Sequence, residues 1–173
     1  MHRTSAQSIP GPARRGLWQR SARHPGWRGG GGAFLLGLLI DSTACIHAER
    51  SRRTPEELVG EIMERWGDAE LWVSVMSAAE LFHGYWRADH PSQRARREEF
   101  IEALLATIPV LPVTLTVARV VGQIDAQLSA AGQRIPTSDL LIAATALSRG
   151  DAIVTGDARH FDRVAGLTVH HFT

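Results

Sequence analysis

Four acids stand hard against apolar sequence in this chain: Asp41, Glu80, Asp139 and Asp157. Asp41 ends the run Phe34-Leu35-Leu36-Gly37-Leu38-Leu39-Ile40 and is followed by Ser42 and Thr43. Asp157 comes two residues after Ala152-Ile153-Val154-Thr155, and Asp139 opens the apolar stretch Leu140-Leu141-Ile142. Glu80 lies among Ala78, Ala79, Leu81 and Phe82, with no arginine three or four residues away to pair with it. Taken singly, Asp41, Asp139 and Asp157 read as helix caps, each contributing about 0.5–2 kcal/mol through its hydrogen bond or about 0.3–1 kcal/mol through the helix dipole. Glu80 has no such reading, because a carboxylate against a core is costly without a compensating cation. Several carboxylates brought together repel unless a cation sits among them. Oxygen-only ligands suit Mg²⁺ or Mn²⁺. Such an ion can acidify a water and stabilise the leaving oxygen of a phosphodiester, so neither a catalytic histidine nor a lysine is required.

The elements around these acids must bring them to one place. The continuous apolar run ending at Ile40 suits a strand buried on both faces of a parallel sheet. A short helix is expected from Ser42 to Glu49, capped by Asp41 or Ser42. Thr54-Pro55-Glu56-Glu57 is a strong helix start, with a cap, a proline at the first helical position and acids in the first turn; that helix should reach about Trp66. Further strands are expected over Leu71–Val75, Val110–Val113, Ala152–Thr155 and Leu167–His171. Helices are expected over Met76–Trp86, Pro91–Ile108, Thr114–Ala131 and Leu140–Ser148, with a single helical turn over Ala158–Asp162. Alternating strands and helices imply a parallel α/β sandwich of four or five strands. Right-handed crossovers then carry all four acids to the carboxyl edge of the sheet, where open α/β sheets bind ligands.

Composition narrows the chemistry. With 173 residues and 44% apolar content, the chain has material for one packed domain plus a tail. All 19 basic residues are arginine, so no lysine can act as a nucleophile, form a Schiff base or contact a phosphoryl group. Residues 1–32 hold six of those arginines and no acid; the remaining 13 face 18 acids, a net −5 for the rest of the chain. That first segment, with Pro10, Pro12, Pro25 and the run Gly29–Gly32, reads as a disordered arm, possible as an early start-site extension, ahead of a domain over 33–173. Its Arg, Trp18 and Trp27 could touch RNA, but composition alone favours an arm outside the fold. The basic stretch before Ala33–Ile40 imitates a secretory signal; the apolar run is short and meets Asp41 without a small-residue cleavage site, so a cytoplasmic protein is expected. No stretch is long enough to span a membrane. Cys45 is the single cysteine, which excludes an internal disulfide or a cysteine metal cluster, and it reads as a small core residue. His83 and Trp86 read as packing groups or a subunit contact. His160, His170 and His171 form no metal-ligand spacing, and His160 flanks the last acid.

The motifs Leu38-Leu39-Ile40-Asp41-Ser42-Thr43, Ser77-Ala78-Ala79-Glu80-Leu81, Pro136-Thr137-Ser138-Asp139-Leu140-Leu141-Ile142-Ala143-Ala144 and Ile153-Val154-Thr155-Gly156-Asp157-Ala158-Arg159-His160-Phe161 resemble the PIN-domain ribonucleases, specifically the VapC-type toxins of bacterial toxin–antitoxin pairs. The resemblance covers about residues 34–173. It implies a PIN-like three-layer α/β/α sandwich around a mostly parallel sheet, and a Mg²⁺-dependent endoribonuclease acting on tRNA or rRNA. Asp41, Glu80, Asp139 and Asp157 would hold the metal (Mg²⁺, or Mn²⁺), with the Thr155 hydroxyl beside the last acid. It further implies a VapB-type antitoxin as partner and a homodimer. The arm has no counterpart in the family, and the usual Asp-Thr-Ser appears here as Asp41-Ser42-Thr43. A phosphoryl-transfer domain with an acidic Mg²⁺ pocket is the competing enzyme, but it needs a pocket lysine. A non-catalytic RNA-binding module using the arm would leave Glu80 unexplained.

Overall fold

The computed structural model describes residues 37–173, together with the backbone of two short strands at 27–28 and 34–35. These are β1 (Trp27–Arg28) and β2 (Phe34–Leu35), an antiparallel pair apart from the main sheet. The expected arm over 1–32 otherwise lies outside the described residues. The apolar run is therefore not one strand: the sheet takes only β3 (Gly37–Ile40) from it.

From Ile40 the chain follows the expected alternation. Helices α1 (Ser42–Arg50) and α2 (Pro55–Trp66) lead to β4 (Glu70–Ser74), then α3 (Val75–Trp86) and α4 (Pro91–Thr107) lead to β5 (Val110–Leu111). Helices α5 (Leu115–Ala130) and α6 (Thr137–Arg149) precede β6 (Ala152–Thr155), and a 3₁₀ turn at Phe161–Arg163 precedes β7 (Val169–His171). Local chemistry explains the boundaries. At α2, Thr54 and Glu57 form a reciprocal capping box behind Pro55. At α6, Gly150 closes the helix in the left-handed conformation at φ 75°.

All five sheet strands are parallel, in the order β5-β4-β3-β6-β7. Registers such as Leu39 with Trp72 and Ile153 place β3 at the centre. Successive residues of β3 alternate between two cores, as the pleat requires. Leu38 and Ile40 pack with Leu71, Val73, Ala152 and Val154 against α1–α4. Leu39 and Ile153 pack against α5 and α6 through Ile124, Leu128, Ile142 and Ala143. The result is the expected three-layer α/β/α sandwich. Near its far edge, Phe172 is fully buried, with the Arg65 guanidinium 5.1 Å from its ring centre and Trp66 stacked on His170.

Gly37, the break in the apolar run, is required by contact rather than by flexibility. A Cβ there would lie 2.8 Å from the Glu70 carbonyl oxygen and 2.9 Å from Trp72 Nε1. The same corner holds the Arg149–Asp151 ion pair, with Arg149 4.4 Å over the Trp72 ring.

Candidate metal and nuclease site

The strand order reverses between β3 and β6. A crevice opens at such a switch point, outside the carboxyl ends of the two strands. Asp41 follows β3 directly, Thr155 ends β6, and Asp157 lies two residues further on. Helix α3 leaves β4 at this edge carrying Glu80, and α6, which runs back to feed β6, begins here with Asp139 in its first turn. The topology thus delivers every acid singled out in the sequence to the same end of the sheet.

Asp41 is the buried member, 2% exposed. It caps α1 by accepting from the Thr43 backbone N–H at 3.3 Å, so the cap reading holds as well. Its Oδ2 also accepts from the Thr43 hydroxyl at 2.5 Å and the Thr155 hydroxyl at 2.8 Å. Thr43 Oγ1 in turn accepts from the Gly156 N–H at 2.9 Å, and Thr155 Oγ1 from the Asp157 N–H at 3.1 Å. These hydroxyls add to the backbone pairing of β3 with β6 by linking the two strand ends around one carboxylate. Burial raises the Asp41 carboxyl above the ordinary 3.8; the threonine hydrogen bonds oppose this, and the charge of Glu80 adds to it.

The other acids are half-buried. Glu80 Oε2 accepts from the Ser42 hydroxyl at 2.5 Å, so it is held against α1 rather than sunk in the core. Asp139 Oδ2 lies 2.6 Å from His160 Nδ1. Burial raises the Asp139 carboxyl, the His160 contact opposes this, and the charges of Asp41 and Asp157 raise it further. Asp157 is forked by Arg159, which holds its carboxyl down at about 2. The acids sense one another's charge. With their side chains turned onto Ser42, His160 and Arg159, no three acid, imidazole or thiol groups among the described residues close around a point that could hold a metal ion.

Other sequence candidates resolve plainly. Cys45 is fully buried and its thiol is pushed up by burial and by Asp41. Trp86 is 68% exposed and His83 is exposed, so neither is a core packing group. Sequence reasoning missed Thr43, Ser42 and Arg159 as partners of the acids. The signal was present in Asp41-Ser42-Thr43, since hydroxyls directly after a strand-end acid can reach that acid and its neighbours.

Residues 38–167 match the PIN domain family. The chain belongs to that family. Within it, the chain is of the VapC type. It is 30% identical over 135 residues to the tRNA(fMet)-specific endonuclease VapC of Shigella flexneri, covering 77% of this chain and 96% of the relative. It is 33% identical over 119 residues to ribonuclease VapC4 of Mycobacterium tuberculosis, covering 69% and 85% respectively. Among solved structures, the DNA-bound VapBC of Salmonella typhimurium superposes with a TM-score of 0.68 at 24% identity, covering 80% of this chain and all of the other. VapBC2 of Rickettsia felis, bound to a promoter DNA fragment, gives the same TM-score at 18% identity, covering 79% of this chain and 98% of the other. These two share the fold.

Proposed function

We propose that this PIN domain is a divalent-metal-dependent endoribonuclease, the toxin of a type II toxin–antitoxin pair, and that Asp41, Glu80, Asp139 and Asp157 hold the metal. The observation that carries this reading is the convergence of these acids on the switch point between β3 and β6, around an aspartate held by two threonine hydroxyls and a backbone N–H. An oxygen-only donor set fits a hard ion such as Mg²⁺, with Mn²⁺ as a substitute. Bound there, the ion supplies the Lewis acidity that phosphodiester hydrolysis needs. The chain's own residues prepare for it. Thr43 and Thr155 fix Asp41 Oδ2, and Ser42 fixes Glu80 on the α1 side of the crevice. Burial of Asp41 makes its carboxylate a poor place for a naked charge, which favours a cation beside it.

The substrate we assign is tRNA or rRNA, with the initiator tRNA named for the Shigella relative as the first candidate. The partner is a VapB-type antitoxin, whose arginine would bridge two of the acids in a bidentate fork. A neighbouring groove lined by Ile46, Leu81, Phe100 and Ile101, between α1, α3 and α4, would take its apolar residues. A homodimer would use the exposed stripe Val75, Phe82 and Trp86 on α3. Among the described residues no helix is long and apolar enough to cross a membrane, and we place the protein in the cytoplasm. The deciding assay incubates the purified chain with total tRNA and rRNA in Mg²⁺ or in EDTA. Discrete cleavage in Mg²⁺ alone is expected; cleavage in EDTA, or none in either, refutes the reading.

A further inference from the structure

Arg159 is well exposed, yet its guanidinium is committed. Its Nε donates to Asp157 Oδ1 at 2.8 Å and its Nη2 pairs with Oδ2, so both oxygens of one site acid are covered. The Arg159 backbone N–H also donates to Oδ1, at 3.3 Å. Arginines elsewhere serve structural pairs: Arg149 with Asp151, Arg96 with Glu49, and Arg53 and Arg65 with Glu61. Among the described residues, Arg159 is the arginine that the structure pairs with an acid of the crevice.

Three properties make this pair unlike a fixed strut. It is open to solvent, with side chains 78% and 37% exposed, and exposed ion pairs are weak enough to exchange readily. The fork that matches a carboxylate matches a phosphate equally well. With no lysine in the chain, a permanently charged side chain at the crevice has to be an arginine. His160, the next residue, contacts Asp139 instead, so the two neighbours engage two different acids of the crevice.

We propose that Arg159 is an exchangeable counter-ion: it covers Asp157 while the metal is absent, yields that carboxylate when the metal enters, and then binds a phosphate of the RNA. This rests on the metal-site reading above, and its test separates the two. Binding of Mn²⁺ alone is measured by electron paramagnetic resonance for the full chain and for Arg159→Gln, Arg159→Lys and Asp41→Asn. Loss of the competing cation should tighten Mn²⁺ about two- to fivefold in Arg159→Gln, with Arg159→Lys between it and the parent, and Asp41→Asn should lose the site. In Ca²⁺, with RNA integrity checked on a gel, a single-stranded RNA oligonucleotide should bind Arg159→Gln with a salt slope shallower by about 0.7, one phosphate contact. Parent binding of Mn²⁺ that depends on Asp41 but is indifferent to Arg159→Gln overturns the counter-ion and leaves the metal site standing. No Asp41-dependent Mn²⁺ binding overturns both. Tighter Mn²⁺ with an unchanged salt slope overturns the phosphate contact alone.

Discussion

Asp41 carries a charge that the fold does not favour, and this has a measurable sign. Because its folded-state carboxyl is raised above 3.8, the native chain holds that proton more tightly than the unfolded chain does. Ionisation therefore costs stability as pH rises through the folded-state value. Asp41→Asn should abolish RNA cleavage and raise the melting temperature at pH 7 by roughly 2–4 °C, the shift that about 1 kcal/mol produces in a chain of this size. That gain should vanish below pH 3.8, so a scan from pH 3.5 to 7 checks the sign. Thr43 makes the complementary case. Thr43→Val keeps the shape but removes a hydroxyl donor from the buried Asp41 carboxylate and leaves the exposed Gly156 N–H to water. We expect about 1–3 kcal/mol lost in urea denaturation and a 10–100-fold fall in cleavage, as for an outer-shell partner. The acids could be picked out of the sequence because each sits where an apolar run stops. Their partners could not: whether Arg159 reaches Asp157, or His160 reaches Asp139, depends on side-chain rotamers that no spacing encodes.

Helices were legible in nearly full length because their ends carry local chemistry, as with the Thr54–Glu57 box and Gly150. Strand lengths were not, since a strand ends where its neighbour stops pairing. Val110–Val113 shrinks to Val110–Leu111, and the run from Phe34 is divided between β2 and β3. Gly37 marks that division, and its contacts make a prediction at this scale. Gly37→Ala would force its Cβ against a backbone oxygen of β4 at 2.8 Å, so the β3–β4 pairing must yield. We expect about 1–3 kcal/mol of destabilisation, the range for overpacking, read as a lower urea midpoint at an unchanged slope.

At the scale of the molecule, the strand reversal between β3 and β6 does what no single motif can: it converts four acids spread over more than a hundred residues into neighbours. The apolar faces sort themselves just as globally. Leu58 and Ile62 are fully buried in the core, while Phe82 and Trp86 remain exposed. If α3 forms the homodimer, Trp86→Glu should halve the mass seen by sedimentation. A parent chain that already sediments as a monomer removes the dimer. Removal of residues 1–32 should leave both melting temperature and RNA cleavage unchanged, because that segment is rich in arginine and glycine and poor in apolar residues to bury. Finally, the chain's single thiol, on the inner face of α1, has no exposed surface. Alkylation at Cys45 therefore requires an opening of the core that α1 shares with the sheet and α2–α4. The protein thus carries a built-in clock for core opening: labelling kinetics, compared between the parent and Asp41→Asn, would time how often α1, which Asp41 caps, comes loose.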